Sequence, residues 1–119
     1  NTFKVITFAA EPNSAGTAYT MYTVAGSTTT VVLGLILTNI HSSAVTAEVE
    51  LVSDTSNRAG ANNAANGTSF LAKDVNIPAG SSLELLSGGK VVMETTDVLK
   101  IDCSVADKLS GTLSIMEIT

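Results

Sequence analysis

The chain has 119 residues, with eleven acidic and six basic side chains for a net charge of −5, one His, one Cys and no Trp. That length fits one domain, residues 1–119, able to close a hydrophobic core without metal or disulfide, and the lone Cys103 excludes an intramolecular disulfide framework. Lys and Arg are scattered singly, which excludes a basic patch that neutralises successive phosphates, so nucleic acid is not expected as a partner.

The longest apolar run, residues 31–40, is about half the roughly 20 residues a helix needs to span a bilayer. The opening Asn1-Thr2-Phe3-Lys4 has no signal-peptide hydrophobic stretch. The expectation is a soluble protein with no membrane partner. Its surface of Thr, Ser, Ala, Gly and Asn, short and mostly uncharged, suits close assembly.

In chain order, residues 3–8 alternate Phe3, Val5 and Thr7 against Lys4, Ile6 and Phe8, and Glu11-Pro12-Asn13-Ser14-Ala15-Gly16 ends the alternation. A first strand and a turn follow from that. Residues 18–24 form the second strand and end at Ala25-Gly26-Ser27, a turn in which Gly supplies positive φ and Ser bonds its own backbone. The same tripeptide recurs at Ala79-Gly80-Ser81. Residues 29–41 contain Val-Val-Leu-Gly-Leu-Ile-Leu, apolar on both faces, and the flanking threonines and Gly34 favour a strand covered on two sides over a buried helix. Residues 44–52 give the cleanest period of two, with Val45, Ala47, Val49 and Leu51 facing one way and Thr46, Glu48 and Glu50 the other.

Residues 54–67 hold no apolar side chain larger than Ala and read as a long loop of functional or mobile character. In residues 69–77, Leu71, Val75 and Ile77 share a face with Lys73, and Pro78 stops the strand. Short strands at residues 83–86 and around Val91 and Met93 precede a strand whose Leu99, Ile101, Cys103 and Val105 share one face. Residues 109–118 close the series. About eight short strands with frequent turn signals and no helical period predict an all-β fold, a β-sandwich of Ig-like or jelly-roll topology, with a closed barrel as the alternative.

The candidate chemistry reduces to structure. His41, followed by Ser42-Ser43, lacks the oriented base and third group of nucleophilic catalysis and the ligand spacing of a metal site, so it reads as a turn histidine. Glu48 and Glu50 share a strand face, as a carboxylate pair would, but on an amphipathic strand they read as solubilising charges. Asp54, Asp74, Asp97, Asp102 and Asp107 stand singly and form no calcium loop. Cys103 reads as inert core, and Asn66-Gly67-Thr68 is a glycosylation sequon read as a turn. No catalytic, cofactor-binding or metal residue is expected, and the chain is not expected to be an enzyme.

Three segments, Tyr22-Thr-Val-Ala-Gly-Ser-Thr-Thr-Thr-Val-Val-Leu-Gly-Leu, Ile77-Pro-Ala-Gly-Ser-Ser-Leu-Glu-Leu and Gly89-Lys-Val-Val-Met-Glu-Thr-Thr-Asp-Val-Leu-Lys-Ile, give most of the chain a pattern that resembles small virion structural proteins of tailed bacteriophages, notably those of cyanobacteria and marine bacteria. The resemblance implies a small β-sandwich serving as capsid cement or decoration, as a neck or tail component, or as a fibre module, made in the host cytoplasm and located in the virion. It carries over no catalytic residue, and residues 54–67 are longer than the turn expected in that family. Partners implied are other virion proteins and further copies of the chain, with a carbohydrate- or receptor-binding module of a phage fibre as the alternative role. The assembly interface is expected on the second face of residues 29–41, at Val32, Ile36 and Ile40, opposite Val31, Leu33, Leu35 and Leu37.

Overall fold

Segments of β-branched, aliphatic and alternating side chains form the strands of the described residues. The computed structural model describes residues 1–53, 67–86 and 88–119. Among the described residues are nine strands and no helix: β1 (Thr2–Glu11), β2 (Tyr19–Thr23), β3 (Thr29–Asn39), β4 (Val45–Ser53), β5 (Gly67–Ile77), β6 (Ser82–Leu85), β7 (Val91–Met93), β8 (Val98–Cys103) and β9 (Leu109–Ile118). The segment expected as a long loop lies outside the described residues, apart from Gly67 at the start of β5.

The strands form two antiparallel sheets. The first is ordered β1-β9-β3-β6, with β7 also on β3, and the second β2-β8-β4-β5. The pairs are nested: β4 with β5, β3 with β6, β2 with β8, β1 with β9. Nested antiparallel pairs divided between two sheets are the jelly-roll arrangement, which settles the choice between the two expected topologies. Between the sheets lie Leu35, Leu37, Val49, Met93, Ile101, Leu109, Leu113 and Ile115, all fully buried. Cys103 is buried with them, on the face shared by Leu99 and Ile101.

Bulges correct the simple alternation in β3 and β5, and the register also slips in β1 between Phe8 and Glu11 and in β2 between Thr20 and Tyr22. The register of β3 with β9 slips between Val32 and Gly34. An inserted residue flips the phase of everything after it. Thr30 and Val32 therefore face inward before the bulge, and Leu35, Leu37 and Asn39 after it. Leu33 does not share a face with Leu35, and Val32 does not share one with Ile36. In β5 the register slips twice, and Asp74 takes a positive φ of 49° at one of these irregularities. Ala72 is thereby the buried residue, and Lys73 stands outside rather than among the core side chains. The two Ala-Gly-Ser turns also differ: Gly80 has φ 71° as expected, but in the first turn it is Ser27, at φ 56°, that enters the left-handed region.

Two residues show why the polar and small positions of the core are where they are. Asn39 is fully buried, yet its Nδ2 donates to the carbonyls of Ser43 (2.9 Å) and Ile77 (3.0 Å), and its Oδ1 accepts from the N–H of His41 (2.8 Å). It ties the end of β3 to the end of β5 in the opposite sheet. Gly111 faces Phe8 across the β1–β9 ladder, and a Cβ there would overlap the phenyl ring. The ring fills the space that Gly leaves and meets Tyr19 edge to face at 5.3 Å, so Phe8 turns inward and fixes the phase of β1.

Candidate interaction surface

With Phe8 inward, the odd-numbered residues of β1 point to solvent. Phe3 is 73% exposed and Val5 64%. Registration of the first sheet sets Phe3 beside Met116, Met116 beside Val31 and Val31 beside Val92, one apolar row across β1, β9, β3 and β7. Val92 is 58% exposed. The β3 bulge carries Leu33 into the neighbouring row, where Phe3, Lys4, Val5, Leu33, Ser114 and Ile115 line a shallow groove. Farther along, Thr7, Thr112, Ile36 and Glu84 are aligned, with Ile36 42% exposed.

The second sheet presents the opposite character. Its outer row of Thr20, Lys100, Glu50 and Phe70 is followed by Glu48 opposite Asp102. Lys73 bonds Glu48 at 2.7 Å and sits 4.7 Å from the centre of the Phe70 ring. The hydrogen bond to Glu48 raises the Lys73 pKa, with the charges of Asp74, Glu48 and Glu50 adding to it against desolvation. Glu48, Asp74 and Asp102 line a depression with Gly16, whose N–H donates to Asp102 Oδ1 at 3.2 Å. Among the described residues no group of three or more His, Cys, Asp or Glu is arranged to hold a metal ion. No described helix is long and apolar enough to cross a membrane.

A polar clasp joins the two sheets. Tyr22 of β2 donates its hydroxyl proton to Glu117 Oε2 at 2.6 Å, so Thr30 Oγ1, 2.7 Å away, must be the donor to the Tyr22 oxygen. Lys4 Nζ meets the other Glu117 oxygen at 2.6 Å. The bond from Lys4, then that from Tyr22, hold the Glu117 carboxyl below its ordinary pKa. Burial, reinforced by the bond to Glu117, pushes the Tyr22 phenol up.

The three expected interface residues are separated by the fold. Val32 is a core residue, 1% exposed, because the bulge places it in phase with Thr30. Ile36 lies on the outer face of the first sheet, and Ile40 is exposed just past the end of β3, its N–H bonded to the Lys108 carbonyl. His41 follows in that turn, anchored through its backbone by Asn39. Glu48 and Glu50 lie on the outer face of the second sheet. The exposed large apolar residues that sequence reasoning did not select for an interface are Phe3, Val5, Phe70, Val92 and Ile118. The alternation in residues 3–8 contained the first two, but both of its faces are largely apolar, and the decision between them rests on Gly111, more than a hundred residues away.

Comparison of the chain with protein-family models, with curated proteins and with solved structures gives no match.

Proposed function

We propose that the protein is a non-enzymatic structural component of a phage particle, a capsid cement or decoration protein or a neck or tail accessory protein, set among other virion proteins and copies of itself. The observation that carries this reading is the contrast between the two outer faces. One sheet shows solvent an apolar row from Phe3 to Val92, with Val5 and Ile36 exposed in the rows beside it, and the other shows mostly charged and polar side chains, with Lys73 paired to Glu48. An exposed contiguous apolar face is a contact surface in waiting, and a charged one keeps the molecule dispersed on its other side.

The magnitudes favour a repeated contact over a solitary one. Covering the exposed fractions of Phe3, Val5, Ile36, Val92 and Ile118 is worth roughly 4–8 kcal/mol at about 1.5–3 kcal/mol for each fully buried side chain. Association costs about 4–15 kcal/mol in lost freedom, so one such contact roughly breaks even and neighbours on several sides are needed. Jelly rolls recur in viral capsid and lectin domains, a fold-level analogy that agrees with the resemblance of the three turn-and-strand segments.

The test is to probe gradient-purified, salt-washed phage particles with an antibody raised against this chain. Co-sedimentation in many copies per particle is the expected result. Recovery of the protein only in the soluble fraction of the lysate would overturn the assignment.

A further inference from the structure

Each sheet of an open sandwich has two edges, and three of the four here are guarded. On one side of the first sheet, β6 and β7 share an edge of four and three residues, interrupted by Leu86 and Gly88 at φ 67° and 98°. In the second sheet, β2 is five residues long with a bulge between Thr20 and Tyr22, and β5 is broken twice and carries Lys73 and Asp74. Short length, bulges and charge are the devices by which natural sheets avoid edge-to-edge pairing. The fourth edge meets them only at its far end, where β1 slips register against β9 between Phe8 and Glu11. From Thr2 to Phe8, β1 runs in unbroken register with β9, and no described strand lies on its other side. Its one charged residue over that stretch, Lys4, is held by Glu117.

We propose that this edge binds the same edge of a second copy, β1 against β1 in antiparallel fashion, extending the five-stranded sheet across a two-fold axis. The occupant is set by geometry and charge. A two-fold axis perpendicular to the sheet pairs residues whose side chains lie on the same face, so partners must have the same parity. Centring the axis on Val5 uses the whole regular stretch: Thr2 faces Phe8 of the second copy, Phe3 faces Thr7, Lys4 faces Ile6, and Val5 faces itself. Moving the axis to Lys4 sets two ammonium groups opposite each other and leaves Thr7 and Phe8 unpaired. Moving it to Ile6 leaves Thr2 and Phe3 unpaired. The pairing centred on Val5 uses the whole regular stretch without setting Lys4 opposite its symmetry mate, and it joins the two apolar outer faces side by side.

This deepens the particle reading and rests on it only in requiring neighbouring copies, since the experiment uses the isolated chain. Sedimentation equilibrium of the purified protein is expected to show a concentration-dependent dimer. Val5→Lys and Val5→Glu, at a solvent-exposed position, should each weaken it about tenfold or more while leaving the circular dichroism unchanged. Mixing the two variants should restore dimer, because the charges then face each other across the axis. Val92→Lys, on the same face but away from this edge, should dimerise like the parent chain. Three results would each overturn the proposal: a parent chain that stays monomeric at about 1 mM, a mixture that does not recover, or Val92→Lys dissociating the dimer in place of the Val5 variants. A chain monomeric in solution yet present in washed particles would reject this pairing and leave the particle assignment standing.

Discussion

Glu117 and Asn39 stand at different places between the sheets and stabilise the sandwich by different physics. Glu117 works as a charge. Its folded pKa lies below the ordinary carboxylate value of about 4.3, so its contribution is complete above that value and is lost as pH falls through the folded pKa. The stability advantage of the parent chain over Glu117→Gln should therefore be constant from neutral pH to about 5 and shrink below it. Urea titrations at a series of pH values check this, and an advantage that persists undiminished in acid would mean that the Lys4 and Tyr22 bonds are not what Glu117 supplies. Asn39 works as a neutral crosslink with its two donors and its acceptor all engaged. Asn39→Ala leaves the Ile77 carbonyl without that donor inside the protein and should cost about 3 kcal/mol. A loss under about 0.5 kcal/mol would show that water replaces the side chain freely. Neither role was visible in the sequence. Asn39 reads as the polar end of an apolar run, and Glu117 as an acid in a closing strand, because the partners of both lie on other strands.

At the scale of the element, β3 shows what alternation can and cannot reveal. Its existence and its central place were legible: a run apolar on both sides, flanked by threonines, becomes the strand to which β9, β6 and β7 all pair. Which residues face inward was not legible, because one bulge between Val32 and Gly34 inverts the phase and both phases are apolar. Where one phase is polar, as in β4, the inward set of Val45, Ala47 and Val49 was readable directly. The bulge makes a sharp prediction. Val32→Ser should destabilise the fold by about 3 kcal/mol, since it removes core volume and buries a hydroxyl. Ile36→Ser, four residues later on the outer face and 42% exposed, should cost only about 1 kcal/mol. Equal effects in thermal or urea unfolding would show that the phase does not invert.

For the whole molecule, the nested order of pairing also prescribes an order of assembly in time. The innermost pair, β4 with β5, brings Val52 to Thr68, whereas the outermost, β1 with β9, brings Thr2 to Glu117. The entropy of closing a loop grows with the chain between its ends, so the inner pairs can form early and the outer one gains most from waiting until they have shortened its path. On the ribosome the constraint is absolute. β1 emerges first among the described strands, and its partner emerges last. Throughout synthesis Phe3, Val5, Ile6 and Phe8 have no ladder to join, and the strand that is most open to a second copy in the finished molecule is also the one that waits longest for its own. Nascent chains crowded on one message therefore face a kinetic competition at β1 between a neighbour and their own last strand, and slower translation of β9 should favour the neighbour.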